Sequence, residues 1–140
     1  MKVYLDNCVF NRPFDDQTDI VVHVETTAKL AIQKMIREGK LELLWSDMLD
    51  LENNDTPFLD RRMQIAEWKV CASETIVANN TVKEMAREYM KIGLRQKDAT
   101  HVASAVYGGS EYFITVDKKI LNKAIGEIMI VDPLAFLRRF

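Results

Sequence analysis

The sequence predicts an α/β fold with three layers, α/β/α, around a central, mainly parallel sheet of about five strands. Short apolar runs of strand length alternate along the chain with longer segments whose apolar residues recur at helical spacing. Strands separated by helices pair in parallel and are covered on both faces. The chain has 140 residues, 48% hydrophobic and 29% charged, which suits one domain over residues 1–140 with an ordinary core.

The first half of the chain contains two predicted strands and three predicted helices. Val21, Val24, Ala28 and Ile32 recur at helical spacing in the first helix, and Thr56-Pro57 has the cap-and-first-turn pattern of the third. The elements in order are a strand at Lys2–Leu5, a turn region through Pro13, a helix from an N-cap at Thr18 to Arg37, a strand at Leu41–Trp45, a helix capped by Ser46, and a helix from Thr56 to about Cys71.

The second half alternates in the same way. The segment "SETIVA", residues 73–78, is open between loop and strand. The elements that follow are helices at Thr81–Ile92 and Gln96–Tyr107 separated by Gly93, a strand at Glu111–Val116, a short helix to Ala124, a strand at Ile128–Val131, and a final helix opened by Pro133.

Composition restricts the classes of function. A net charge of −2 gives no electrostatic footprint for broad nucleic-acid binding, although an enzyme that holds phosphates through metal ions remains compatible with it. No stretch approaches the ~20 apolar residues of a membrane span, so no membrane association is expected. Cys8 and Cys71 have neither CxxC nor zinc spacing and indicate a reduced, cytoplasmic protein. We interpret Cys8 as a small buried side chain rather than a nucleophile.

Acidic residues follow the predicted strands. Asp6 comes after the first strand, the segment Ser46 to Glu52 after the second, and Asp117 after a late strand. The carboxyl ends of parallel strands lie at one edge of a sheet, where ligands bind, so these acids are expected to lie close together. Asp98, in the first turn of a helix, is the fourth candidate. Taken singly, Asp98 could be a helix-dipole charge, Asp117 a helix cap and Glu52 a solvated helix acid.

Such a group of carboxylates predicts a metal site. Converging carboxylates repel one another unless a cation is present. Asp and Glu oxygens without His or Cys suit Mg²⁺ or Mn²⁺. Two such ions ~4 Å apart can activate water and stabilise the leaving oxygen of a phosphoryl group. The acids therefore point to phosphate chemistry, most simply the hydrolysis of a phosphodiester.

Other polar residues near these acids are given structural or accessory roles. We expect His101 to be packed and hydrogen-bonded, and His23 has no second histidine at ligand spacing; Asp47 and Asp50 are interpreted as surface charges. Asn7 and Thr115, next to Asp6 and Asp117, could orient water or a metal ligand. Basic residues that could hold a polyanion beside the acids are Arg12, the best placed, and Arg95, Lys97, Lys118 and Lys119.

Four segments resemble the PIN-domain nucleases, particularly the VapC-type toxins of bacterial and archaeal toxin–antitoxin pairs. They are "YLDNCVFNRPFDD", "SDMLDLENN", "KDATHVASAVYGGSEYFITVDKKILNK" and "VDPLAFL", and only residues 56–80 contribute little. The resemblance implies a PIN-like fold, a metal-activated water that attacks RNA phosphodiester bonds, a homodimer, and inhibition by a small antitoxin. It also implies that the acidic quartet binding Mg²⁺ or Mn²⁺ is Asp6, Glu52, Asp98 and Asp117.

The sequence departs from that family at two places. Asn7 stands where many members have Thr or Ser directly after the first Asp. The segment "NRPFDD" is similar to a subgroup whose members are often not visibly paired with an antitoxin. Glu25 matches an acid in the first helix of that subgroup, but a helix-face charge is the interpretation we prefer for it.

Three other functions are weighed against the nuclease. A phosphatase of the haloacid-dehalogenase type needs a second Asp two residues after the first, where this chain has Cys8. A receiver-like phosphorylation module would open with two adjacent acids, which "YLDN" lacks. A non-catalytic module that binds RNA or a protein partner is the remaining alternative, although retention of all four carboxylates argues against it.

Overall fold

The computed structural model describes residues 1–140 as five strands and eight α-helices. The strands are β1 (Lys2–Leu5), β2 (Glu42–Ser46), β3 (Ala72–Ile76), β4 (Tyr112–Ile114) and β5 (Met129–Val131). The helices are α1 (Asn7–Asn11), α2 (Ile20–Arg37), α3 (Asp47–Asn54), α4 (Leu59–Glu67), α5 (Asn80–Lys91), α6 (Gln96–Tyr107), α7 (Lys118–Leu121) and α8 (Pro133–Leu137), with 3-10 turns at Arg12–Phe14 and Trp68–Cys71. None of the helices has the length and apolar character needed to cross a lipid bilayer.

The five strands form one all-parallel sheet in the order β3-β2-β1-β4-β5, which confirms the predicted fold class. Consecutive residues of the central strands are all buried, as in Val3–Leu5 of β1 and Leu43–Trp45 of β2. Because successive side chains of a strand point to opposite faces, both faces of the sheet are covered. The sheet therefore lies inside a continuous hydrophobic core.

The strand order changes direction next to β1. The chain runs outward from β1 to β2 and β3, and then returns to place β4 on the other side of β1. In the register of the sheet, Leu5 pairs with Ile114 and Tyr4 pairs with Leu44. The residues that follow β1, β2 and β4 consequently meet at the edge where ligands bind in open α/β sheets.

Two expectations about the first 40 residues were wrong. The segment after Asp6 is not a turn but the short helix α1 followed by a 3-10 turn. The N-cap of α2 is Asp19 rather than Thr18, because an Asp19 side-chain oxygen accepts from the Val21 and Val22 N–H groups. The Thr18 hydroxyl instead donates to Asp16.

The buried face of α2 also differs from the apolar stripe in its sequence. Val21 is 60% exposed, whereas Lys29 and Gln33 are buried with Ala28 and Ile32. The first turn of α2 thus leaves apolar side chains in solvent, while its middle buries three polar ones, Thr26, Lys29 and Gln33. Burial of this kind is costly unless the polar groups are satisfied.

The third predicted helix begins later than expected. The Thr56 N–H donates to the Asn53 carbonyl, so Thr56 belongs to the end of α3, and α4 runs only from Leu59 to Glu67. A 3-10 turn then leads to β3, which forms from the segment that the sequence left open between loop and strand. Pairing with β2 makes that segment a strand rather than a loop.

Gly108, at the C-terminal end of α6, allows the helix to lie close to β2. A Cβ there would clash with Leu44 and lie 3.1 Å from Cγ1 of Ile76. We expect Gly108→Ala to lower the free energy of unfolding by about 1–3 kcal/mol, because the extra methyl overpacks the core. Urea denaturation measures this. Gly126→Ala is the matched control, since a Cβ at Gly126 meets nothing within 4 Å; equal effects of both changes would contradict the prediction.

Candidate functional site

Asp6 is held in place at the centre of the sheet edge. Its N–H donates to the Ile114 carbonyl at 2.9 Å, which continues the β1–β4 ladder by one residue. One carboxylate oxygen accepts from the Asn7 N–H at 2.8 Å, and the other accepts from the Thr115 hydroxyl at 2.8 Å. Asp6 is only 5% exposed. Its carboxylate is therefore both buried and fixed in orientation.

Thr115 links Asp6 to Asp117. The Thr115 hydroxyl that donates to Asp6 also accepts from the Asp117 N–H at 3.0 Å. Asp117 in turn caps α7, because its Oδ1 accepts from the Lys119 N–H at 2.9 Å. Asp117 thus lies at the same edge, partly exposed, with one carboxylate oxygen used as a helix cap.

Glu52 on α3 faces His101 on α6. Nε2 of His101 is hydrogen-bonded to Oε1 of Glu52, and His101 is completely buried. Nδ1 of His101 lies 2.6 Å from the Tyr4 hydroxyl, which lies 2.5 Å from Oγ of Ser46. Ser46 also caps α3 by accepting from the Leu49 N–H. This network confirms that His101 is packed and hydrogen-bonded, and it fixes the side of the site that carries Glu52.

The structure brings some of the predicted acids together and leaves others at a distance. One ligand atom from each of Asp6, Glu52 and His101 lies within 4.8 Å of the other two. Asp98 and Asp117 are outside this group, and Asp98 pairs with Nε of Arg95 at 3.4 Å. The sequence offered one signal for His101: it follows Asp98 by one turn of α6, on the same face.

The environment of Asp6 disfavours its charged form. Burial raises the pKa of the Asp6 carboxyl, and the nearby Glu52 carboxylate adds to that effect, while His101 and the Thr115 hydroxyl oppose it. A cation between Asp6 and Glu52 would remove the repulsion between them. The arrangement is therefore suited to binding a positive ion.

The pKa of Glu52 is shifted in the opposite direction from that of Asp6. Burial acts to raise its pKa, but the hydrogen bond and charge of His101, with Lys97 and Arg95, outweigh it and lower the pKa. For His101, burial acts to lower the pKa, and the Glu52 hydrogen bond with the carboxylates of Asp6, Glu52 and Asp98 raises it instead. Of the two carboxylates, Asp6 and Glu52, it is thus Glu52 that remains ionised more readily.

Cys8 lies beside Asp6 without the features of a nucleophile. Its Sγ lies 3.4 Å from both Asp6 Oδ2 and Thr115 Oγ1. Burial raises the pKa of the Cys8 thiol well above its usual value, and the Asp6 charge adds to this. The thiolate needed for attack is therefore disfavoured. Both cysteines are free.

Arg12, expected near phosphate, has its guanidinium engaged within the protein. Its Nη1 lies 3.0 Å from Asp15 and its Nη2 lies 2.8 Å from Glu25. Glu25, which we interpreted as a helix-face charge, lies on α2 with its side chain mostly buried in this ion pair. Asn7 differs from Arg12: its side-chain oxygen is buried and has no hydrogen-bond partner.

Asp47 and Asp50 are not the free surface charges that the sequence suggested. Asp50 accepts from the Trp45 indole N–H at 2.9 Å and pairs with Lys69 at 2.9 Å. Asp47 accepts from the Ala78 N–H at 3.0 Å. Both therefore connect α3 to its surroundings.

The sheet order and the edge just described define a class of fold, the PIN-like α/β fold. The same fold is found in a solved structure, that of VapBC2 from Rickettsia felis bound to a DNA fragment from their promoter. The superposition has a TM-score of 0.56 and covers 93% of this chain and 97% of that one, with 12% sequence identity. At this identity the likeness shows the fold alone. No protein-family model and no curated protein matches the sequence.

Proposed function

We propose that this chain is a metal-dependent endoribonuclease, with residues 1–140 acting as one PIN-like domain. The observation that carries the proposal is the meeting of Asp6 and Glu52 at the carboxyl edge of the sheet, where the strand order reverses. Two acids that are close together and little exposed are best explained by a cation that both of them bind. The acids that the family resemblance assigns are Asp6, Glu52, Asp98 and Asp117.

The residues present fit Mg²⁺ or Mn²⁺. Asp6 and Glu52 offer carboxylate oxygens, and the orphaned side-chain oxygen of Asn7 adds a further hard donor next to Asp6. His101 is placed to position Glu52 through Nε2. Asp98 and Asp117 are proposed to complete the set.

The protein's own groups would orient the reaction. Bound Mg²⁺ or Mn²⁺ would supply an activated water and neutralise charge on the phosphate. Thr115 and the Asn7 N–H hold both oxygens of Asp6 in one orientation. Arg95 and Lys97, exposed in the first turn of α6 and close enough to lower the pKa of Glu52, are placed to attract the RNA backbone. Arg12 could contribute only by leaving Asp15 or Glu25.

The same comparison supports one proposed partner, an antitoxin, and the other proposals below rest on the family resemblance. The neighbouring structure is a VapBC2 complex on promoter DNA. We propose that this chain acts on RNA and is a VapC-like toxin, with an antitoxin that covers the site. We also propose that it forms a homodimer and is located in the cytoplasm.

Cleavage of RNA tests the proposal directly. Purified protein is incubated with total cellular RNA in Mn²⁺ or Mg²⁺, with EDTA as the control. We expect discrete fragments that disappear in EDTA. No cleavage by a preparation shown to be free of bound inhibitor would overturn the proposal.

Thr115→Val gives a finer test of the metal site. The change keeps the shape but removes the hydroxyl that donates to Asp6, so we expect Mn²⁺ to bind about 10–100-fold more weakly. Thr115→Ser, which retains the hydroxyl, is the matched control and should bind nearly as well as wild type. Isothermal titration calorimetry measures both, and unchanged affinity in Thr115→Val would count against Asp6 as a ligand.

A non-catalytic module that binds RNA or a partner is the second candidate. It is favoured by the internal pairing of two acids, Glu52 with His101 and Asp98 with Arg95. Such a module would bind RNA in a gel-shift experiment and leave it intact in Mn²⁺. Cleavage that requires the metal would eliminate it.

A further inference from the structure

A cavity separate from the site around Asp6 and Glu52 lies between α2 and α4. Its volume is about 240 Å³, and α1 with the 3-10 turn after it forms one side. The residues that define it best are Phe10, Lys29, Gln33, Ile65 and Trp68. Aromatic walls with a few convergent polar groups are typical of small-molecule sites.

Two polar side chains in this cavity have no partner. Lys29 is 5% exposed, and its ammonium lies 5.9 Å from the ring centroids of both Phe10 and Trp68, with no carboxylate within ion-pairing distance. Gln33 is 4% exposed, and its amide nitrogen is buried with no hydrogen-bond partner. The two residues are one helical turn apart on the same face of α2. Leaving the Gln33 amide unpaired is costly, and so is leaving Lys29, which is largely removed from water, without a counter-charge.

The other charges around the cavity do not satisfy Lys29. Arg37, a further turn along α2, stacks on Trp68 at 4.5 Å from the ring centroid. Burial, with a contribution from Arg37, lowers the pKa of Lys29 to about 8. The only acid lining the cavity, Glu67, is exposed and forms no ion pair with either cation.

A lysine that merely extends its stem across aromatic rings towards water would explain Lys29 alone. It would not explain the orphaned amide of Gln33 directly beside it. An acceptor placed between the two side chains explains both. It must be anionic, because a neutral acceptor would leave the positive charge of Lys29 uncompensated.

We propose that this cavity binds a small organic anion whose acidic group accepts from Lys29 and Gln33 and whose flat apolar part packs on Phe10 and Trp68. Ammonium and amide N–H groups both suit carboxylate or phosphate oxygens. Aromatic walls favour a planar ligand body. The volume limits the ligand to about the size of a substituted benzene, since drug-sized ligands occupy cavities of roughly 300–1,000 Å³.

Benzoate and phenyl phosphate are the probes, and benzyl alcohol is the neutral control. We expect saturable binding of at least one anion, on the order of millimolar as suits so few atoms, and none of the alcohol. NMR of the Lys29 Cε signal should show its titration midpoint moving upward from about 8 when the anion is bound. The tighter probe identifies the carboxylate or the phosphate as the natural group.

Substitutions on α2 locate the binding. Lys29→Met keeps the unbranched apolar stem but removes the ammonium, and Gln33→Leu keeps the approximate volume of the side chain; each should weaken binding at least tenfold. Lys34→Met, on an exposed lysine of the same helix, should not change it. Absence of saturable binding to wild type, equal binding of benzyl alcohol, or full affinity in Gln33→Leu would overturn the proposal. If Lys29→Met fails to fold, the affinity of Gln33→Leu for the anion tests the proposal by itself.

Discussion

Asp6→Asn is expected to reduce metal-dependent RNA cleavage by roughly 10³-fold, because a bound metal contributes several kcal/mol to transition-state stabilisation and Asp6 is the proposed ligand with the most firmly fixed orientation. Asparagine keeps the size of the side chain, and its single carbonyl oxygen can accept from the Asn7 N–H or from the Thr115 hydroxyl, but not from both. It removes the charge that attracts the cation. Initial rates of cleavage of a fluorescent RNA measure the effect.

Loss of activity in Asp6→Asn should not come from unfolding. The pKa of Asp6 is raised by burial and by Glu52, so removing its charge relieves a cost in the metal-free protein. We therefore expect a melting temperature at least equal to that of wild type in EDTA. Asp60→Asn, on an exposed acid of α4, is the matched control and should cleave normally. Persistent cleavage by Asp6→Asn would place the activity elsewhere or in a contaminant.

The second large effect is stabilisation by Mn²⁺. A ligand present at 100 times its dissociation constant raises the free energy of unfolding by about 2.7 kcal/mol, which amounts to several degrees in melting temperature for a protein of this size. Glu52→Gln should lose most of this rise, because Glu52 is the second acid of the converging group. Asp98→Asn should reduce it less, since Asp98 lies outside that group. Differential scanning calorimetry with and without Mn²⁺ measures each shift.

Glu84→Gln serves as the control for those variants, because Glu84 is an exposed acid of α5. Its Mn²⁺-dependent shift should equal that of wild type. A shift in Glu52→Gln as large as in Glu84→Gln would mean that Mn²⁺ binds outside the candidate site.

Local patterns predicted the strands and the long helices, because periodicity and caps depend on neighbouring residues. Ser46 is an example: it ends β2 and caps α3 as expected. The contacts that build the site join residues far apart in sequence, such as Glu52 with His101 and Asp6 with Thr115. The sequence indicates that such residues lie at one edge of the sheet. Which of them contact each other depends on the strand register, which the sequence does not show.

The buried face of α2 shows a second limit. The sequence contains an apolar stripe from Val21 onward, yet Val21 is exposed and the polar residues Lys29 and Gln33 are buried. Which side of a helix is buried depends on the elements packed against it, here α8, α1 and the 3-10 turn at Arg12–Phe14. The cavity lined by Lys29 and Gln33 could therefore not be predicted from the sequence.

The hydroxyl of Thr115 and the carbonyl of Ile114, which fix Asp6, belong to a part of the chain made long after Asp6 itself. During synthesis Asp6 and Glu52 can emerge from the ribosome before β4, the strand whose end orients Asp6. If the finished protein cleaves RNA, the unfinished one lacks an assembled site. The position of β1 in the middle of the sheet thus makes assembly of the proposed site depend on β4 and Thr115, which is 109 residues later in the chain than Asp6.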